Sequence, residues 1–481
     1  MSRRTAPPGP QAEYAPEIPA KNLPPVPYRD LPDAPPLRKV LGPSVILVGV
    51  GIATGEYILW PYISSQVGLV FLWAVPVGVL MQYFINMEVE RYTLATGETA
   101  VAGFIRMWKP LGIVMCLCAI VPNIWPAWAT SAATVTTFLF GGGDVNVIAI
   151  CGLMAIGLTL TISPVVYQTL EKIQFLKVGA VLLFLAVAVF AAIGLSDWGD
   201  TGDAVTHFGQ FPGELEIALI LGAFAFAGAG GTNNLVQSNW IRDKGFGMGH
   251  YAPRIVSPIT GEEEAAPATG VTFPTTDQNL RRWRDWWKVA NREQFIAFFV
   301  IGTLTIVVFS MVAYSTVFGQ DLGEELDFIE GEGNALKESV GTWFGTLFWA
   351  IGAVSLFAAS IGIADYVSRL VADVLKVGYL RESKRWSESR IYSCIVWTIA
   401  LFGIAILLAG LDEPLLLTVL AASLSGVVMF IYSGLLIALN RRFLPQPIRI
   451  RGIRLGALAW CFAFFGVFSV IYGVEQFKQL F

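Results

Sequence analysis

The sequence contains little charge. Charged residues make up 14% of its 481 positions, whereas hydrophobic residues make up 55%, and the mean hydropathy is +0.61. A soluble globular domain carries about 25% charged residues, so this chain is solvated mainly by lipid. We therefore expect one all-α integral membrane domain, with the lipid bilayer as its partner and spans of ~20 apolar residues.

Histidine and cysteine are also scarce, with two and five residues. His207 and His250 fall in predicted loops. Because no nucleophile–base arrangement or phosphate-binding loop is visible, we predict that the chain is not an enzyme and holds no cofactor. The odd number of thiols, all in apolar stretches, argues against a disulfide framework. The basic residues are scattered at span ends rather than gathered in an aromatic-interleaved patch, which excludes nucleic acid as a partner.

Residues 1–40 differ in composition from the rest of the chain. They are rich in proline (PPGP, LPPVP, APP) and contain no apolar core followed by a small-residue cleavage site, so they are not a signal peptide. We expect a mobile or loosely docked cytoplasmic tail. Residues 41–481 then form a single transmembrane domain.

Apolar runs interrupted by charge, glycine or proline predict eleven spans. They lie near 42–67, 70–97, 110–140, 146–163, 167–195, 215–242, 293–319, 339–377, 390–410, 414–440 and 455–475. With a cytoplasmic N-terminus, the outer segments hold only Lys337 and Lys478 of the 32 Lys and Arg residues. This asymmetry obeys the positive-inside rule and predicts a C-terminus outside. The expected location is the plasma (inner) membrane of a bacterium.

The longest loop, 243–292, is cytoplasmic in this topology. It ends in RRWRDWWKVANREQF (281–295), where three tryptophans interleave with Arg and Lys. This pattern predicts an interfacial helix that leads into span seven, and anchoring at the headgroup level is favoured over a regulatory role.

Two spans contain signals for interrupted helices. Span one reads GPSVILVGVGIATGEYILWP and span six reads LGAFAFAGAGGTNNLVQSNW, so glycines and short polar residues lie near membrane depth in both. Irregular backbone is tolerated there only where it lines a cavity. The breaks recur five spans apart, as expected for two inverted five-helix repeats with a central site. The alternative is that the glycines only allow close helix packing, but a carboxylate at mid-span, Glu56, favours a functional break.

Several segments resemble the NRAMP metal-transporter family. They are residues 42–73 with the Gln82-Tyr83 segment and TLATGET (93–99), YQTLEKIQFLKVG (167–179) and LFAASIGIADYVSRLVADVL (356–375). The eleven-span count also matches. The resemblance is distant and covers most of the chain from about residue 38. It implies the LeuT-type fold, a 5+5 inverted repeat with discontinuous helices one and six plus an eleventh helix. It also implies transport of a divalent metal ion coupled to H⁺.

The metal-binding motifs of this family are altered here. Its Asp-Pro-Gly-Asn motif in helix one becomes Ala53-Thr54-Gly55-Glu56, and its Met-Pro-His motif in helix six becomes Gly231-Thr232-Asn233. The predicted substrate-binding residues are therefore Ala53, Thr54, Gly55, Glu56, Gly231, Thr232, Asn233 and Asn234. Without the thioether that selects soft metals, the oxygen donors of Glu56 and Asn233 suit a hard ion such as Mg²⁺ or Mn²⁺.

Alternatives remain open at this stage. A LeuT-fold transporter of a small organic or anionic substrate is one, and a channel or a transporter-like sensor is another. Glu56 is expected to bind substrate, carry a proton or cap a helix, and Thr232 and Asn233 to bind substrate or only cap span six. Nothing in the sequence specifies an oligomeric state.

Three further charged residues are candidates for coupling or gating. Asp365 lies four residues before Arg369 in span eight, so an intrahelical ion pair is the default interpretation. Glu88 lies three residues before Arg91 in span two, where a structural ion pair is favoured over a cytoplasmic gate.

Overall fold

The computed structural model describes residues 13–162, 166–252, 270–320, 323, 325–411 and 413–480. Helices occupy all eleven predicted positions, and the only bridges in the described part are two isolated ones. The spans are, in order, Pro43–Gly51 with Thr54–Leu59 and Trp60–Val67; Ala74–Thr96; Leu111–Asn123 with Ala127–Phe140; Val145–Ile162; Val166–Ala191; Ile217–Ala225 with Asn233–Lys244; Asp277–Gln294 with Phe295–Val300 and Ile301–Val317; Thr342–Val374 with Leu375–Tyr379; Glu388–Leu408; Pro414–Arg442; and Ile453–Leu480.

Nine helices within the described ranges are long and apolar enough to cross a membrane. Spans two and six are not among them, for different reasons. Span two carries the charged residues Glu88, Glu90 and Arg91 in its second half. Span six consists of two short halves, of 9 and 12 residues, and its second half is strongly polar. Both are nevertheless buried among the other helices.

The ends of several spans follow from local sequence. Pro43 begins span one and Pro414 begins span ten. The missing N–H of proline has no consequence there, because the first N–H groups of a helix have no intrahelical partner. The Ser387 hydroxyl accepts a bond from the Arg390 backbone N–H (3.3 Å) at the start of span nine. Span three is interrupted between Asn123 and Ala127, because Pro126 cannot continue the backbone ladder.

Short helices connect the spans. They are Ala100–Met107 after span two, Leu195–Asp200 and Gly202–Thr206 after span five, Gly247–Tyr251 after span six and Asp327–Ser339 after span seven. Residues 253–269 of the predicted cytoplasmic loop lie outside the described residues.

The N-terminal tail is packed against the helical domain rather than loosely docked, over the part described (13–40). Leu23, Val26 and Leu31 are at most 4% exposed. The Asn279 amide accepts from the Leu31 N–H (3.1 Å), and the Trp286 indole donates to the Pro32 carbonyl (2.8 Å). A proline-rich segment has few partners of its own for its carbonyls, and here side chains of the domain supply them.

The tryptophan-rich helix is continuous with span seven. Asp277–Gln294 runs directly into Phe295–Val300 and Ile301–Val317. Trp283 and Trp286 are 5% and 3% exposed, and they contact Phe273 and Phe246. These two rings are therefore buried in protein, whereas the sequence placed them at the lipid headgroups.

Candidate functional site

The break in span one lies against the break in span six. Helix Pro43–Gly51 ends before Ala53, whose backbone (φ −167°, ψ −93°) is not helical. A Cβ on Gly51 would lie 1.4 Å from the Gly228 carbonyl oxygen, and one on Gly55 would lie 2.3 Å from that of Phe226. Only glycine permits this approach of two backbones.

The break in span six is a run of left-handed glycines. Gly228, Gly230 and Gly231 have φ values of 110°, 78° and 54°, which other residues adopt only with strain. Gly231 lies against the Ser425 side chain of span ten, because an added Cβ would be 2.7 Å from its hydroxyl oxygen. The backbone groups released by this geometry need partners from elsewhere.

Gln82 of span two supplies these partners. Its amide nitrogen donates to the carbonyls of Phe224 (3.1 Å) and Ala225 (2.9 Å). Its amide oxygen accepts from the backbone N–H groups of Ala229 (3.1 Å) and Gly230 (3.0 Å). The sequence indicated Gln82 only as part of the family resemblance, so this role was missed. A buried glutamine in an apolar run was the available signal.

Glu56 is fully buried at the start of the second half of span one. The Thr305 hydroxyl of span seven donates to its Oε2, while its Oε1 has no partner among the described residues. Neither oxygen accepts a bond from a backbone N–H group of the described residues, so the capping alternative for Glu56 is wrong.

An opposite charge that acts on Glu56 is Lys177 of span five, which attracts the carboxylate. Lys177 is 3% exposed, and its ammonium donates to the Ser355 carbonyl of span eight at 3.3 Å. A lysine at membrane depth is itself a functional signal, and the sequence interpretation overlooked it.

The polar residues after the second break are largely without partners. Within the described chain, no partner is found for Thr232 Oγ1, for either side-chain atom of Asn233, or for Asn234 Oδ1. The Asn234 amide nitrogen donates to Gln82 and to the Tyr432 hydroxyl, both at 3.3 Å. Thr232 occupies the N-cap position of Asn233–Lys244 but makes no capping bond. The capping alternative for Thr232 and Asn233 is therefore wrong.

The two predicted motifs contact each other through their backbones rather than through their side chains. Ala53, Thr54, Gly55 and Gly231 are all buried at the breaks. No hydrogen bond connects Glu56 to any of the residues 232–234 in the described structure, since Glu56 is directed to span seven. No group of three or more His, Cys, Asp or Glu side chains able to hold a metal occurs in the described ranges.

Asp365 and Arg369 form the predicted intrahelical ion pair, away from the breaks. The guanidinium donates twice to the carboxylate, at 3.1 and 3.0 Å. Asp365 also accepts from the Tyr392 hydroxyl (2.7 Å) and the Trp240 indole (3.2 Å), and Arg369 also pairs with Asp243. This fully buried network joins spans six, eight and nine.

Glu88 forms the structural ion pair that was favoured for it. Arg91 donates to both of its carboxylate oxygens, at 2.6 and 3.0 Å, and the Asn440 amide of span ten donates to it at 3.1 Å. Glu88 is therefore held at the junction of spans two and ten.

Comparison with known proteins identifies the fold. No protein-family model matches the chain, and no curated relative matches it. Solved structures do match: a manganese transporter mutant (E129A) from Eremococcus coleocola has a TM-score of 0.67 at 11% identity, covering 92% of this chain and 89% of that one. MhsT in complex with L-phenylalanine gives 0.53 at 12%, covering 90% and 98%. Mhp1, a nucleobase-cation-symport-1 family transporter with bromovinylhydantoin bound, gives 0.52 at 13%, covering 91% and 92%.

These similarities define the class of protein. The chain is an all-helical integral membrane protein with the LeuT-type fold, in which helices one and six are discontinuous. At 11% to 13% identity the likeness shows the fold, and membership of the NRAMP family is not shown by sequence.

Proposed function

We propose that the chain is a secondary active transporter whose substrate binds where the breaks of spans one and six meet. The observation that carries this proposal is the pair of glycine-rich breaks in direct backbone contact, Gly51 on Gly228 and Gly55 on Phe226. Paired discontinuous helices at equivalent positions of two repeats are the typical substrate site of transporters with this architecture.

The substrate proposed is a hard divalent cation such as Mg²⁺ or Mn²⁺, moved together with H⁺. Four buried oxygens near the breaks lack a hydrogen-bond donor among the described residues: Glu56 Oε1, Thr232 Oγ1, Asn233 Oδ1 and Asn234 Oδ1. Oxygen atoms without donors favour a cation, and an oxygen-only set suits a hard one. The manganese transporter named above shares the fold, which supports this class of substrate for the present chain.

A small organic substrate is the second candidate, and Lys177 favours it. Glu56 is the carboxylate at the breaks, and the ammonium of Lys177 offsets its charge. A doubly charged ion would meet little net negative charge beside this pair. A neutral or zwitterionic molecule would instead use the amides of Asn233 and Asn234.

Uptake into proteoliposomes distinguishes the two candidates. We expect saturable flux of Mn²⁺, Mg²⁺ or Ca²⁺ by the wild-type protein, and its loss in Glu56→Ala. Glu330→Ala, on the Asp327–Ser339 helix, is the matched control and retains flux. Absence of divalent flux from folded protein would overturn the metal proposal and direct the search to organic substrates.

The same vesicles test transport against a channel or a sensor. A secondary transporter accumulates its substrate above the outside concentration when a driving gradient is imposed. A channel carries only downhill flux, and a sensor binds without flux.

A further inference from the structure

Span two carries further buried polar residues besides the glutamine that stabilises the break in span six. Gln82, Asn86 and Glu90 recur every four residues and therefore lie on one face of the helix. They are 0%, 0% and 1% exposed. Gln82 is fully used at the break, but both side-chain atoms of Asn86 and both carboxylate oxygens of Glu90 have no partner in the described structure.

The helices beside this face continue the polar surface from the breaks towards the tail. The Gln237 amide of span six donates to the Gln294 oxygen of span seven at 2.9 Å. The Ser44 hydroxyl of span one contacts Gln294 and the Glu293 carboxylate. Span two packs against the second half of span six and against both Asp277–Gln294 and Phe295–Val300. The tail-side halves of spans one, six and seven thus meet through polar side chains, and span two packs beside them.

Glu293 differs from Glu90 because backbone hydrogen-bond donors stabilise its negative charge. It accepts the backbone N–H groups of Gly42 (3.4 Å) and Ser44 (3.2 Å) at the start of span one. A helix N-terminus stabilises a carboxylate in this position. Among the described residues Glu90 has no such donor, although it is equally buried.

The charges around Glu90 are of both signs. Glu293 of span seven repels its carboxylate and Arg454 of span eleven attracts it. On its own helix Glu88 and Arg91 pair with each other. The other elements packed against span two carry further charged groups. On span six they are Arg242, Asp243 and Lys244, which pair with Asp373, Arg369 and Glu171. The remaining ones are Asp277, Arg281, Arg282, Arg284, Asp285, Lys288 and Arg292 on Asp277–Gln294, Glu475 and Lys478 at the far end of span eleven, and Arg106, His250, Arg441 and Arg442.

We propose that Glu90 is the proton-binding residue through which the proton gradient drives transport, and this rests on the proposed function. The ionised form of a buried carboxyl group that has no hydrogen-bond donor is strongly disfavoured relative to its neutral, protonated form. A proton needs only the carboxyl group itself. A sodium ion would need several oxygen ligands and would be repelled by Arg454. Protonation from the tail side neutralises Glu90 and relieves its repulsion with Glu293, so the packing of span two on spans six and seven depends on the bound proton.

Infrared difference spectroscopy of the full-length protein in lipid tests proton binding without any substrate. We expect a carbonyl-stretch component of a protonated carboxyl group, removed at high pH, that is lost in Glu90→Gln. Glu88→Gln is the matched control, because Glu88 is two residues away and its carboxylate pairs with Arg91. Glu90→Asp keeps a carboxyl group at this position and should therefore retain the carbonyl-stretch component. It is the variant to measure if Glu90→Gln fails to fold. An unchanged spectrum in folded Glu90→Gln overturns the proposal.

A transport measurement separates this proposal from the proposed function. In proteoliposomes with an internal pH dye and Mn²⁺ as probe, Glu90→Gln should retain downhill Mn²⁺ uptake and lose the associated proton influx. Persistent proton influx in Glu90→Gln, or dependence on a Na⁺ gradient instead, overturns the role of Glu90. Wild-type protein that moves neither Mn²⁺ nor protons overturns the metal proposal, while the infrared result still decides whether Glu90 binds a proton.

Discussion

At the scale of single residues, Gln82 shows how an interrupted helix is stabilised within a membrane domain. One amide side chain satisfies two backbone carbonyls and two backbone N–H groups across the break in span six. In lipid, water cannot replace these bonds. The position of the break is therefore set by span six, while its stability depends on span two.

Substitution of Gln82 by leucine tests this role. Leucine preserves the volume but leaves four backbone groups unpartnered, at about 1–3 kcal/mol for each buried group. We expect a clearly lower unfolding temperature in detergent and loss of uptake. Gln66→Leu, at an exposed position on span one, should change neither. Equal unfolding temperatures for the two variants would contradict the role given to Gln82.

Glu332, on the helix Asp327–Ser339 between spans seven and eight, is a buried acid with a predictable pH effect. It is 1% exposed, and burial raises the pKa of its carboxyl group well above the usual range. The folded state therefore holds its proton more tightly than the unfolded state does. This group lowers stability as pH rises above the unfolded pKa of about 4.3.

Glu332→Gln should consequently raise the unfolding temperature at neutral pH. The gain should shrink as the pH falls and disappear below about 4.3, the pKa in the unfolded state, because the glutamate is then protonated in both states. Thermal unfolding of the two proteins at several pH values measures it. A gain that is independent of pH would show that the side chain acts through packing rather than through its charge.

At the scale of elements, the N-terminal tail is fastened to the helix that begins span seven. Arg106 donates to the Pro19 carbonyl at 2.8 Å while it pairs with Glu98, and Asn279 donates to Asp30 at 3.1 Å. The tail leads directly into Pro43, the first residue of span one. The first half of span one is thus tied to the helix Ala100–Met107 and to span seven through the tail as well as through its own packing.

Asn279→Ala should loosen this attachment. It removes the bonds to Asp30 and to the Leu31 backbone, so we expect faster trypsin cleavage at Lys21 and Arg29. Gln278→Ala changes the neighbouring exposed residue and should leave the cleavage rate unchanged. Equal rates for both variants would show that the apolar contacts of Leu23, Val26 and Leu31 hold the tail by themselves.

At the scale of the whole molecule, the orientation in the membrane is still a prediction from charge. Exposed sites lie on opposite predicted sides: Glu214 between spans five and six, and Lys384 between spans eight and nine. In a background without the five native cysteines, Glu214→Cys should react with a membrane-impermeant thiol reagent added to intact cells. Lys384→Cys should react only after the membrane is opened. The reverse pattern would overturn the assignment of a cytoplasmic N-terminus.

Much of the fold follows from the sequence by itself. Apolar length placed the spans, because a helix must cover the hydrocarbon thickness. Glycine marked both breaks, because it allows the left-handed backbone of span six and the close approach of span one to it. The ion pair of Asp365 and Arg369 was also predictable, since residues four apart on a helix lie on one face.

The tertiary structure alone decided which groups face each other at the site. The partner of Glu56 is Thr305, 249 positions away, and the partner of the span-six break is Gln82, 147 positions from Ala229. Such pairings depend on how the helices pack, which no local pattern encodes. The contacts of the tail also depend on packing. Its composition indicated mobility, but its carbonyls and apolar side chains have partners on the folded domain. Local sequence thus fixed where the backbone must break, and packing fixed what the broken ends and buried charges contact.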